Sequence, residues 1–125
     1  METKDHAEIF DRIKKEIKKY STKINITKES GKGIETYTKK PLTVGGKTYP
    51  CICFASSLIF KGHVGFYLFT LYTHPEFKKE IPSELLKTLK GKTCFNIKKL
   101  DDKLLKQISD TLKKAFEFYK AKGIV

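Results

Sequence analysis

The chain has 125 residues, 39% hydrophobic and 12% aromatic, which supports one hydrophobic core and leaves no room for a second. Its net charge of +12 comes from 26 basic against 14 acidic residues, and because Arg12 is the one arginine the excess is almost entirely lysine. No apolar run is long enough to span a membrane, residues 1–20 are too charged for a secretory signal, and three cysteines do not make a disulfide framework, so the expectation is a single cytoplasmic domain with free thiols.

In chain order, His6, Ile9, Phe10, Ile13, Ile17 and Tyr20 recur at helical spacing, and Glu8/Arg12 and Asp11/Lys15 are acid-first pairs four residues apart. A helix over about residues 4–20 follows. From Lys23 to Thr73 the period changes and Ile, Thr, Tyr, Val and Phe dominate, as in a pleated sheet. Gly31-Lys32-Gly33, Gly45-Gly46 and Lys61-Gly62 punctuate extended runs over 24–30, 34–38, 42–44, 47–54, 58–60 and 63–72, which read as an antiparallel meander of about four strands, with Pro50 and Ser56-Ser57 marking an edge, a bulge or an interruption. Ser83 is positioned to cap a short helix over 84–89 that stops at Gly91. Residues 92–98 alternate again, with Phe95 and Ile97 on one side. Asp101 caps a last helix whose stripe Leu104, Leu105, Ile108, Leu112, Ala115, Phe116 and Tyr119 ends at Gly123. The order α-β-β-β-β-(α)-β-α predicts an α+β domain: one antiparallel sheet of five or six strands with both terminal helices on one face. Ile9, Ile13, Ile17, Phe95, Ile97, Leu104, Ile108, Leu112 and Phe116 are its expected core.

Chemical motifs are weak. Gly91-Lys92-Thr93 ends like a phosphate loop, but Leu86 stands where that motif needs its first glycine, and a helix rather than a strand precedes it. Cys51, Cys53 and Cys94 with His63 or His74 lack the paired spacing of zinc sites. On a strand, Cys51 and Cys53 would share a face with Cα atoms ~6.6 Å apart, at the outer limit for a disulfide. His6 lies on the apolar side of the first helix and reads as a packed ring. No Ser/His/Asp order or convergent carboxylate pair marks a catalytic site, and the chain is expected to bind rather than to catalyse.

His63-Val64-Gly65-Phe66-Tyr67, then residues 91–99 as Gly-Lys-Thr-Cys-Phe-Asn-Ile-Lys-Lys, then the closing helix ending Tyr119-Lys120-Ala121-Lys122-Gly123, resemble the YdhG-like family of bacterial domains of unknown function. The resemblance is strongest over residues 60–125. It implies a frataxin-like fold, no established catalytic residues and, for some members, an iron-chaperone role. Iron is the cofactor it implies, and Asp5, Glu8 and Asp11 on adjacent turns of the first helix are the candidate ligands, because neighbouring carboxylates can share a hard cation.

Two further readings come from the residues. Residues 21–61 hold seven lysines against Glu29 and Glu35, the pattern of a surface that binds a polyanion such as nucleic acid. The strand over 63–72 carries large apolar groups on both sides, Val64, Phe66 and Leu68 alternating with Tyr67, Phe69 and Leu71. A sheet covered on one face should alternate more cleanly. Tyr67, Phe69, Asn96 and Lys98 are therefore the expected surface for a protein partner, a ligand or a second copy in a weak homodimer, unless the loop over 74–83 folds across it.

Overall fold

A computed structural model describes residues 3–44 and 46–125. Helix α1 (His6–Lys18) starts where the Asp5 carboxylate accepts the Ala7 N–H at 3.0 Å. Strands β1 (Ile24–Glu29), β2 (Gly33–Thr38), β3 (Leu42–Val44), β4 (Lys47–Tyr49), β5 (Cys53–Ile59) and β6 (Val64–Leu68) follow. A helical turn α2 (Thr70–Thr73), a 3₁₀ segment (Pro75–Glu80) and a short helix α3 (Ser83–Leu86) lead to strands β7 (Leu89–Lys90) and β8 (Cys94–Ile97). Helix α4 (Asp102–Ala121) closes the chain, its Leu104 N–H capped by the Asp101 carboxylate at 2.7 Å and its end turned by Gly123 at φ +74°.

Six strands form one antiparallel sheet in the order β1-β2-β5-β6-β8-β7, while β3 and β4 pair separately as a hairpin. Of the turn expected there, Gly45 lies outside the described residues. Both long helices pack on one face of the sheet, as expected. Val64, Phe66, Leu68, Phe95 and Ile97 point to them and are buried with Ile9, Ile13, Ile17, Ile108 and Leu112. Phe54, Tyr20 and Phe116 join β5, the end of α1 and α4 in an aromatic cluster, with ring centroids 4.8–6.1 Å apart. Leu104 and Phe116, expected in the core, flank it half-buried; Tyr119, wholly buried, takes the central place on α4.

Two bulges decide which residues face the helices. In β1 the register shifts between Ile26 and Lys28, leaving Thr27 without a partner residue. Beyond it Lys28 turns away from the helices, and Glu29 turns towards α1, where it meets Lys18 at 2.8 Å and Lys14 at 2.9 Å. In β5, Phe54 and Ala55 both oppose Thr36, because Glu35 pairs with Ser56 but Tyr37 pairs with Cys53. The buried Thr36 hydroxyl closes the gap, donating to the Ala55 carbonyl at 2.6 Å and accepting the Ala55 N–H at 3.1 Å. Phe54 and Ala55 thus both enter the core, and Cys53 is turned to the opposite face beside Tyr37.

Several expected boundaries are corrected. The run over 47–54 breaks at Pro50, and β5 continues instead to Ile59. The strand over 63–72 stops at Leu68; the Phe69 N–H still bonds to the Phe54 carbonyl of β5 at 3.2 Å, and the Thr73 and His74 N–H groups then bond to the Phe69 and Thr70 carbonyls. Ser83 is the first residue of α3, not its cap. Pro82 holds the cap position without a side-chain bond, and the Leu85 N–H is satisfied by Gln107 of α4 at 3.1 Å. Leu89, expected in that helix, begins the edge strand β7.

Candidate binding face

Residues paired across an antiparallel sheet share a face, so the register fixes what lies opposite the helices. Asn25, Lys28, Glu35, Tyr37, Cys53, Ser56, Leu58, Gly65, Tyr67, Cys94, Asn96 and Lys90 occupy these positions. The 3₁₀ segment does not cover them; it packs Phe77 against Phe118 of α4, ring centroids 5.7 Å apart.

Near the turn between β5 and β6 the face is a low apolar plate. A Cβ on Gly33 would lie 2.6 Å from Leu58, and one on Gly65 would lie 2.8 Å from Phe60 and 3.0 Å from Tyr67. The two glycines let these side chains lie against the sheet. Leu58 and Phe60 stay about 40% exposed, and Phe60 stacks on His63 with ring centroids 5.0 Å apart. Beside them, burial and then its cross-strand neighbour Cys94 push the Tyr67 phenol up to about 12, so it is a neutral hydrogen-bonding group at any physiological pH.

At the other end lies a cavity of about 490 Å³ lined by Tyr37, Tyr49, Cys51, Ile52, Cys53, Phe69, Tyr72 and Thr73. Phe69 and Tyr72 form a tilted pair 5.0 Å apart. Lys92 Nζ lies 6.0 Å from the Tyr72 ring and Lys47 Nζ lies 5.3 Å from the Tyr49 ring. Burial raises the Cys53 thiol, a raise that Ser56 opposes and Glu35 supports, which favours the neutral thiol over the thiolate. Cys51, expected beside it on a strand, lies outside any strand and is exposed; all three thiols are unbridged.

Of the expected surface residues, Tyr67 and Asn96 share the middle of this face. Phe69 lies in the cavity at one end. Lys98, past the opposite end of β8, lines a hollow of about 460 Å³ with Asn96 and Lys90 of the open face and with Lys87, Lys103, Glu84 and Asp101. The sequence reading missed Tyr37, Tyr49, Cys51, Leu58, Phe60 and Tyr72. Tyr37 was accessible in principle from the alternation of Ile34, Thr36 and Thr38 with Glu35 and Tyr37.

The expected metal ligands are distributed differently. Asp5 caps α1. Glu8 accepts from Arg12 at 3.2 Å and from the Thr3 hydroxyl at 3.1 Å, and Asp11 pairs with Lys15 at 3.2 Å. Among the described residues, no three His, Cys, Asp or Glu side chains are grouped to hold a metal ion.

The carboxylates, unlike the lysines, gather on one side of the molecule. Among the described residues, the carboxylates lie on or beside the helices or, for Glu29, face them; Glu35 alone occupies a strand position on the open face. No described helix is long and apolar enough to cross a membrane. No family model, curated protein or solved structure matches the chain.

Proposed function

We propose that this chain is a binding domain for single-stranded nucleic acid, taken up on the open face of its sheet. The observation that carries the reading is the scarcity of carboxylates on the aromatic surface: Phe60, Tyr67, Tyr37, Tyr49 and Tyr72 lie along a face with one strand carboxylate, Glu35, and with Lys28, Lys47, Lys90 and Lys92 on or beside it. Stacked bases need exposed rings, and a phosphate backbone needs cations without competing acids. A lysine-rich face without arginine meets both needs while supplying no fork for reading a base edge, so little sequence preference is expected.

The test is fluorescence anisotropy with a labelled single-stranded oligonucleotide and the matching duplex. Single strands should bind more tightly than duplex, with an affinity that falls steeply as salt rises from about 50 to about 200 mM. Absence of binding at the lower salt, or an affinity indifferent to salt, would defeat the reading.

A further inference from the structure

The cavity at the Thr73 end of the open face has the makings of a site in its own right. Its volume of about 490 Å³ lies within the roughly 300–1,000 Å³ usual for small-ligand pockets. Four of its lining residues are aromatic, Ile52 is the one aliphatic side chain, and no carboxylate lines it. The rings come from separate elements: Tyr37 from β2, Tyr49 from the β3–β4 hairpin, Phe69 and Tyr72 from the turn after β6. Tyr49 and Tyr72 remain 39% and 56% exposed, large rings at the lip, and each has a lysine ammonium within about 6 Å of its centre.

The polar floor is held in place from behind. The Thr73 hydroxyl donates to the Thr70 carbonyl at 3.4 Å, meets the buried Tyr119 hydroxyl at 3.3 Å, and lies 2.9 Å from His74 Nδ1. These contacts use the hydroxyl's one proton and both acceptor positions, so it fixes Tyr119, His74 and the end of α2 beneath the rings and is itself spent within the protein. An aliphatic ligand would leave the phenol hydroxyls and both ammonium groups without a use. A planar ring bearing an anionic group can use them: the ring stacks on the tyrosines at the lip, and its charge lies by Lys47 beside Tyr49 or by Lys92, which lines the neighbouring hollow on Tyr72 with Pro75 and Lys78.

We infer that this cavity is a pocket for one nucleotide, its base on the Tyr49 and Tyr72 rings and its phosphate held by Lys47 or Lys92. The inference rests on the nucleic-acid reading of the open face and adds where a base is enclosed. Two sources present the same chemistry, a free mononucleotide and the phosphorylated end of a strand.

Cys51, exposed at the lip, provides the readout. Its alkylation by iodoacetamide, resolved from Cys53 and Cys94 by peptide mass spectrometry, is followed with adenosine monophosphate, with a 5′-phosphorylated linear oligoadenylate, and with the same strand circularised. Protection of Cys51 by the mononucleotide identifies a free nucleotide as sufficient. Protection by the linear strand but by neither the circle nor the mononucleotide identifies a strand end. In either case Tyr72→Ala should weaken protection by about five- to a hundred-fold, the loss of one stacking partner, with the fold checked by circular dichroism. Lys47→Ala with Lys92→Ala should remove the advantage of adenosine monophosphate over adenosine. If oligonucleotides bind by anisotropy yet no nucleotide or strand end slows Cys51 labelling, the pocket assignment is overturned and the open-face reading stands. If no oligonucleotide binds, both fall.

Discussion

Replacing Thr36 with valine removes one oxygen and almost no volume, which isolates the hydrogen bonds that hold the β5 bulge. Thr36 is fully buried, and its hydroxyl both donates to and accepts from Ala55. Valine takes away the side-chain partner that a buried N–H and a buried carbonyl have at the bulge. At about 1–3 kcal/mol for each orphaned group, the expected loss is ~2–6 kcal/mol. An unfolding entropy of about 2.1 cal/mol/K per residue gives about 0.26 kcal/mol/K for 125 residues, so a loss of ~3 kcal/mol lowers the midpoint by ~11 °C. Urea and thermal unfolding of Thr36→Val and Thr36→Ser measure this directly. Serine keeps the hydroxyl and should cost only about 1 kcal/mol for the lost methyl. A valine variant within about 1 kcal/mol of the wild type, or a serine variant as damaged as the valine one, would refute the assignment of Thr36 as the group that closes the bulge.

Three other outcomes are expected. Lys18 and then Lys14 hydrogen-bond Glu29 and hold its carboxyl below the usual range, so its stabilising effect is present above the ordinary carboxylate pKa and is lost as pH falls through the lowered one. Acid unfolding of Glu29→Gln should accordingly show less loss at low pH than wild type, with a difference that shrinks in salt because Glu29 is exposed. Gly65→Ala should displace Phe60 and Tyr67 from the sheet, since its new Cβ falls on their ring atoms, and should weaken oligonucleotide binding by up to about tenfold with little loss of stability; unchanged affinity would show that the plate contributes nothing. Anaerobic iron titration should give no submillimolar binding that depends on Asp5, Glu8 and Asp11, because each already has a hydrogen-bonding or charged partner; binding that disappears in the triple alanine variant would contradict this.

The helices were legible because their signals are local. Apolar groups three and four apart, Asp101 at one end and Gly123 at the other define α4 without reference to the rest of the chain. The faces of the strands were less legible, because a single extra residue reverses every side chain beyond it and nothing local announces it. Phe54 would face away from the helices in an unbulged strand, and Glu29 would lie on the open face. The candidate site was legible only in its middle, where Tyr67 and Asn96 follow from alternation in β6 and β8. Its cavity joins Tyr37, Tyr49 and Tyr72 across three separate elements, a meeting that depends on the β5 bulge and on how the β3–β4 hairpin lies, neither of which has a period.

The central claim is that the open face, and not the lysine-rich surface at large, binds a single strand. It is tested most directly by comparing oligonucleotide affinity in two variants: Phe60→Ala with Tyr67→Ala and Tyr72→Ala on the open face, and Lys106→Ala with Lys113→Ala and Lys114→Ala on α4. The account predicts a loss of at least about a hundred-fold for the first, at roughly 1–3 kcal/mol per stacked base, and a few-fold change for the second. Equal losses in the two, or a larger loss from the helix lysines, would contradict it.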